Sequence, residues 1–467
     1  WGTIVGGGWP ARQIDEGPDH GSSGFAPWGR LLSSMTESRE RICIIGAGPG
    51  GLSAAAAMKV RGVPFEILDA GERPGGIWDI DRGETPMYES AHFISSKSLS
   101  GFSGFPMPAE FPDYPRHDQI FRYVQAFARA HDLGRHIEVR TRVDAARPIP
   151  GSSSWQVTLE SGEERRYQGL CVATGATWHP RLPEIEGRFD GEQLHSFDYR
   201  SPELFRGKKV LVVGGGNSGC DIACDAARVA ERALISVRRG YHFVPKYVFG
   251  MPADQFAHKG PRLPGWLEQR VFGLILRLLV GNPARYGLRR PDHRVLESHP
   301  IMNTEVLDHL GHGRLEAVPD VRALRPCGVV FEDGREEAVD LILWATGYER
   351  AVPFLRDEDL DSAGGVLDPY LNVFHRRHRT LCFMGLFETD GAAYPLFSLQ
   401  ADLIAAYLSA LRSGQASADR FDRLRLDHHP DLKGGRRYLS SRRHDYYVKG
   451  DAYQRALLQV RKRMRWE

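Results

Sequence analysis

The 467-residue chain is short of the features that would place it in a membrane, in an oxidising compartment or on a nucleic acid. No apolar run is long enough to span a bilayer. The nearest stretch, residues 265–281, is broken by Glu268, Gln269, Arg270 and Arg277, and its spacing predicts an amphipathic helix covering a core or a pocket. No C-x-x-C pair occurs. The six cysteines, Cys43, Cys171, Cys220, Cys224, Cys327 and Cys382, lie mostly inside apolar runs, which predicts buried thiols and a reducing, cytoplasmic setting. Cys220 and Cys224 share one face of a predicted helix but have no His or Cys partners nearby, so no metal is expected. An excess of one charge is also missing: 61 basic against 59 acidic residues leave a net +2, which gives no footing for nucleic acid.

What the chain does have is glycine in two particular places. The first follows an apolar run, Arg41-Ile42-Cys43-Ile44-Ile45, and reads Gly46-Ala47-Gly48-Pro49-Gly50-Gly51 before a small-residue helix begins. This is the strand, turn and helix of a dinucleotide-binding unit. Gly46 serves the tight turn, Gly48 admits a pyrophosphate, Gly51 allows close packing of helix on strand, and Pro49 and Gly50 lie between them. The helix N-terminus offers free N–H groups to the anion. The next predicted strand, residues 64–68, ends in Asp69. An acid there accepts hydrogen bonds from a ribose 2′-hydroxyl and repels a 2′-phosphate, so this corner is expected to take FAD or NAD.

The second place is Lys209-Val210-Leu211-Val212-Val213 followed by Gly214-Gly215-Gly216-Asn217-Ser218-Gly219. Its helix is expected over 221–230 and its next strand over 233–237, which ends in Arg238-Arg239 where the first unit has an acid. A guanidinium pair suits a 2′-phosphate, so Gly214, Gly216, Asn217, Ser218, Gly219, Arg238 and Arg239 are expected to hold NADPH. Two corners of opposite 2′ chemistry predict an α/β flavoprotein with two Rossmann-like domains. The turns Ala173-Thr174-Gly175 and Ala345-Thr346-Gly347 are taken as the borders of the second domain. The expected layout is an FAD domain over 38–175, an NADP domain inserted over 176–345, and a return to the FAD domain over 346–467. Residues 1–34 are rich in Gly and Pro and Met35-Thr36-Glu37-Ser38 reads as a start, so 1–37 is expected to be a flexible leader. A helix over 398–411 carries Gln400 at its start, either as a flavin contact or as the polar cap of a core helix.

Between the two corners runs Phe189-Asp190-Gly191-Glu192-Gln193-Leu194-His195-Ser196-Phe197-Asp198-Tyr199. With Gly75-Gly76-Ile77-Trp78, the second corner and Ala345-Thr346-Gly347-Tyr348, it resembles the fingerprint of the flavin-containing monooxygenases. The resemblance covers residues 41 to about 400. It implies that Phe189, Gly191, His195, Tyr199, Thr346 and Gly347 set the position of the domains, and that Gly76, Ile77, Trp78, Ser95 and Val143 join the FAD-binding set. It further implies NADPH reducing the flavin, a C4a-hydroperoxide forming with O2, and transfer of one oxygen to the nitrogen or sulfur of a small substrate, with no side-chain nucleophile. Tyr199-Arg200 differs from the Trp with Pro or Asp of related Baeyer–Villiger enzymes, and Ile94 stands where many members have an Asn. Ketone or aldehyde oxidation and an NADPH oxidase or reductase are the competing readings. The aromatic segment 88–115 and residues 241–300, with Tyr247, Phe249, Trp266 and Tyr286, are candidates for the entrance, core or a dimer contact. A homodimer is the default oligomer.

Overall fold

The computed structural model describes residues 40–260, 265–360, 367–441 and 444–466. The expectation for residues 1–37 lies outside the described residues. Two five-stranded parallel sheets organise the chain. In the first, the buried run Ile42–Ile45 is central, flanked by Phe65–Leu68 and Gly169–Val172, with Ile137–Glu138 at one edge and Leu381–Phe383 at the other. Strands buried on both faces need continuous apolar runs, and Ile-Cys-Ile-Ile and Gly-Leu-Cys-Val supply them. The last strand comes from far along the chain, so this α/β unit is discontinuous.

The second sheet has the order Glu192–His195, Leu341–Trp344, Lys209–Val213, Arg232–Ser236, Glu316–Val318. It is inserted between the strands Gly169–Val172 and Leu381–Phe383 of the first. The chain enters and leaves it along two segments that pair antiparallel, His179–Pro180 with Tyr348–Glu349.

Each sheet is covered on one face by an antiparallel sheet. Val143–Pro148, Trp155–Leu159 and Glu164–Tyr167 close the first through a core that contains Cys43, Trp155, Tyr167 and Phe383. Val321–Arg325, Gly328–Phe331 and Glu336–Ala338 close the second around Phe189, Phe331 and Trp344. On its other face the first sheet carries the helices Pro49–Val60 and Tyr394–Arg412, packed against each other. Small residues on both, Ala54 to Ala57 on one and Ala401, Ala405 and Ala406 on the other, are buried in the same core and let the two backbones approach.

The helix of the second corner begins earlier than expected, at Asn217 rather than 221, and runs to Val229. Five cysteines are buried free thiols, as read, but Cys327 is exposed in a turn of the second unit's antiparallel sheet. Among the described residues no helix is long and apolar enough to cross a membrane. The segment 241–300 builds a small core of its own around Val244, Val248 and Leu276. It holds the 96–114 segment through Asp254 on the Ser96 amide (2.7 Å) and Gln255 on Ser98 (2.7 Å).

Candidate active site

The two glycine corners have nearly the same backbone. Gly48 caps the helix Pro49–Val60 at φ −77°, ψ −178°, and Gly216 caps Asn217–Val229 at φ −75°, ψ 177°. Neither helix has a side-chain cap or an acid in its first turn. Their leading N–H groups are therefore left for an anion. The first glycine of each corner sits at positive φ, +110° for Gly46 and +125° for Gly214. A Cβ would lie 2.6 Å from the Ala173 carbonyl oxygen at Gly46 and 2.3 Å from that of Ala345 at Gly214. Each Ala-Thr-Gly turn is thus the wall against which its own corner is folded. Gly51 and Gly219 lie 1.9 and 2.0 Å, Cβ to oxygen, from the carbonyls of Gly46 and Gly214, so neither position has room for a side chain.

Both corners open on one cavity of about 710 Å³. Gly46, Gly48, Pro49, Gly50, Asp69, Gly76, Ile77, Trp78, Ser95 and Val143 line it from the first unit, and Asn217 and Ser218 from the second. Asp69 is buried at the end of Phe65–Leu68. Its Oδ2 accepts from the Ala47 amide (2.6 Å) and its Oδ1 from the Gly71 amide (2.6 Å), with the Arg82 guanidinium at 3.0 Å. Arg82 in turn lies over the Trp178 ring, 4.8 Å from its centroid. The carboxylate is thereby fixed in place beside the corner, with lone pairs to spare for a ribose.

Asn217 is anchored through its side chain: Oδ1 accepts from the Met302 amide (2.8 Å) and Nδ2 reaches the Pro300 carbonyl (3.5 Å). Four residues on, Asp221 also faces the cavity and accepts from Tyr88 (3.1 Å) and Asn303 (2.6 Å). Asp225, one turn further, accepts from Ser90 and Tyr199 (2.5 and 3.0 Å). Burial raises the pKa of both carboxyls, opposed by the Asn303 amide, Lys246 and Tyr88 at Asp221 and by the Ser90 and Tyr199 hydroxyls at Asp225. Tyr88 and Ser90 belong to the first unit and Asp221 and Asp225 to the second, so these bonds join the two halves of the cavity.

The remaining expected residues fall around this frame. Tyr199 stacks on Phe205 and bonds Asp225. Phe189 fills the space over Gly191, where a Cβ would meet its ring at 2.4 Å. His195 ends the edge strand of the second sheet, accepts from the Phe197 amide (3.1 Å) and packs edge-on to Tyr348 of the linker (5.2 Å). Burial lowers its pKa, with the backbone at Gly347 and Asp198 opposing. Thr346 bonds the Arg181 carbonyl across the same linker, and Gly347 turns at φ +87°. Ile94 lines the cavity between Phe93 and Ser95.

Arg238 and Arg239 lie outside the cavity wall. The register sets Val213 beside Ser236, so the pair emerges level with the second corner, Arg238 exposed and Arg239 half-buried. Two further arginines meet them there: Arg289 donates to the Arg238 carbonyl (2.9 Å), and Gly240 lies against the backbone of Arg290. Nothing local in the sequence marks these partners.

Gln400 requires correction. The helix starts at Tyr394, not at 398, because Pro395 is accepted in its first turn. Gln400 is therefore fully buried in the second turn and is not on the cavity wall. Its Oε1 accepts from the Gly385 amide (3.0 Å) and its Nε2 donates to Tyr453 (2.6 Å). The helix N-terminus instead brings Ala393, Tyr394 and Phe397 to the cavity. The Tyr394 hydroxyl is buried there without a hydrogen bond of full geometry, the Trp78 indole being close without making one. Of the aromatics proposed for the entrance, Tyr247 and Phe249 are exposed and Tyr286 packs against Gly311, none of them on the cavity wall. The Trp266 side chain lies outside the described residues.

Two uncapped helix N-termini, a held acid at one strand end and an arginine group at the other define an enzyme that brings two dinucleotides together in one cleft. FAD in the first corner and NADPH in the second fit the residues present, and the orphaned Tyr394 hydroxyl is a polar group such a ligand would satisfy. A model of flavin-binding monooxygenase-like proteins matches residues 39–419. Rice (Oryza sativa subsp. japonica) indole-3-pyruvate monooxygenase YUCCA1 is 34% identical over 72% of this chain and 84% of its own. Human flavin-containing monooxygenase 2 is 30% identical over 80% and 74%. Among solved structures, the flavin-containing monooxygenase of Stenotrophomonas maltophilia superposes with a TM-score of 0.61 at 23% identity, covering 80% of this chain and 98% of that one. A complex of OTEMO with FAD and NADP gives 0.68 at 19%, covering 91% and 98%. The chain belongs to the flavin-binding monooxygenase-like family and is an oxidoreductase.

Proposed function

We propose that the protein is an NADPH- and O2-dependent monooxygenase that adds one oxygen atom to the nitrogen or sulfur of a small organic substrate. The observation that carries this reading is the single cavity onto which both corners open, which lets one nucleotide reduce a flavin held by the other. FAD, when bound, supplies oxygen activation and transfer. The FAD unit is taken as residues 38–175 and 346–467 and the NADP unit as 176–345.

The chain's own work is to bind, orient and keep the cavity dry. Gly46 to Gly51 and the amides from Pro49 onward hold the first pyrophosphate, while Asp69 takes the ribose. Gly214 to Gly219 and the amides from Asn217 onward hold the second, with Arg238 and Arg239 on the 2′-phosphate. Trp78, Phe93, Tyr394 and Phe397 give the cavity an aromatic wall that excludes water. Ile94 adds an apolar patch that cannot donate a hydrogen bond, so hydrogen bonding to the reactive end must come from another group. His195, Tyr199, Thr346 and Gly347 set the linker.

Indole-3-pyruvate is the compound in the rice relative's name, and N,N-dimethylaniline is a simple tertiary amine for the N-oxygenation reading. The FAD-loaded protein is given NADPH with N,N-dimethylaniline, a thioether, indole-3-pyruvate and a cyclic ketone in turn, and products are counted against NADPH consumed. N- or S-oxides formed in step with NADPH support the proposal. Esters or lactones as the main products replace it with ketone oxidation, and hydrogen peroxide alone with an oxidase.

A further inference from the structure

A second cavity, of about 450 Å³, shares the turn Thr174-Gly175-Ala176 and the residues Met384-Gly385 with the wall of the first. None of the residues assigned to either dinucleotide lines it. Its base is apolar, with Val172, Leu355 and Phe383 all buried. Two arginines stand over that base. Arg350 is largely buried and lies 5.0 Å over the Tyr446 ring. Its Nη2 reaches Glu388 at 3.3 Å, but its Nη1 is buried with no hydrogen-bond partner. Arg147, from the antiparallel sheet, gives Nη1 to the carbonyls of Ala146 (2.9 Å) and Phe354 (3.1 Å), and among the described residues no carboxylate pairs with it. A third, Arg356, is already committed to Glu358 and Asp359.

A buried guanidinium with an unused N–H is costly and asks for an acceptor. Its planar donor face fits a carboxylate better than a neutral carbonyl or a spherical ion. An apolar base beneath Arg350 and Arg147 asks for an apolar body attached to that carboxylate, and the volume lies in the range of small-molecule sites. We propose that this cavity binds a small organic carboxylate with an aromatic or aliphatic body, its acid group on Arg350 Nη1 and Arg147.

Arg350 also links the two cavities. The Glu388 that it touches lines the dinucleotide cavity, as do Met384 and Gly385 of the shared wall. An arriving carboxylate competes with Glu388 for the guanidinium, so occupancy is felt at the flavin. The inference concerns binding and does not depend on which atom the enzyme oxygenates.

The test is a calorimetric titration of FAD-loaded, NADP+-saturated protein with phenylacetate and naphthylacetate, and with phenylacetamide as the uncharged analogue. The flavin absorbance spectrum is followed in parallel. Saturable binding of at least one acid with a shift in the flavin spectrum is expected. The amide should bind about tenfold more weakly or worse, as should the acids to Arg350→Gln and to Arg147→Gln. Should Arg350→Gln fail to load FAD, Arg147→Gln, on a separate element, carries the comparison alone. The proposal is overturned if neither acid binds, if acid and amide bind equally, or if the substitutions leave affinity unchanged. Binding that appears only without NADP+ also overturns it, because the ligand would then sit in the dinucleotide cavity.

Discussion

Replacing Arg238 and Arg239 together by alanine isolates what the second corner reads. The register of Lys209–Val213 on Arg232–Ser236 brings the pair level with Gly214 to Gly216, where the 2′ position of a bound nucleotide falls. The backbone there should survive the change, because Arg289 holds the Arg238 carbonyl rather than its side chain, and is itself paired with Glu332. A hydrogen bond to a charged group contributes about 1.5–3 kcal/mol, and exposure reduces that. For one exposed and one half-buried arginine, about 2–3 kcal/mol for the pair is a fair figure. That corresponds to roughly a 30- to 150-fold loss of kcat/KM with NADPH. NADH has no 2′-phosphate, so its value should move by less than about threefold. Anaerobic flavin reduction measured with each nucleotide in turn is the assay, and the difference should shrink as salt is raised. Equal losses with both nucleotides, or none with either, would refute the assignment.

Three further outcomes follow from the packing. Gly51→Ala puts a methyl group 1.9 Å from the Gly46 carbonyl oxygen and should yield protein that purifies without flavin, measured as the FAD-to-protein ratio. Gln400→Ala leaves the half-buried Gly385 amide and the buried Tyr453 hydroxyl each one partner short and should cost about 1–3 kcal/mol in urea unfolding, without changing nucleotide preference. His375 is 2% exposed, and burial, helped by His378 and Arg425, pushes its pKa down to about 4. A histidine kept neutral in the fold contributes stability that is present above its unfolded value of about 6.5 and is lost as pH falls from there through about 4, on the order of 3 kcal/mol. Urea midpoints at pH 7 and pH 4 should therefore diverge, and a His375→Gln variant should show a smaller divergence.

How much of this was legible in the sequence follows from how local each signal is. Gly46 to Gly51 with Asp69, and Gly214 to Gly219 with Arg238, depend on a strand, a turn and a helix within about twenty residues, and period and glycine placement reveal them. The Ala-Thr-Gly turns were visible as turns, but their role as walls for Gly46 and Gly214 needs the parallel neighbour strand. Gln400 falls in the second turn and not at the start because the helix admits Pro395 in its first turn, and its partner Tyr453 comes from a distant helix. Arg82 on Asp69, Arg289 beside Arg238 and the Tyr394 contribution are long-range pairings with no periodic trace. The two arginines of the second cavity are of the same kind, Arg147 and Arg350 meeting only through the fold.

The central claim is that electrons from NADPH place one atom of dioxygen on a substrate. FAD-loaded protein is reduced with one equivalent of NADPH without oxygen, then mixed with isotopically labelled dioxygen and N,N-dimethylaniline or a thioether. The account predicts product carrying one labelled oxygen atom for each NADPH oxidised. Prompt reoxidation that returns all the electrons as hydrogen peroxide, with no labelled product from either compound or from indole-3-pyruvate, would contradict it.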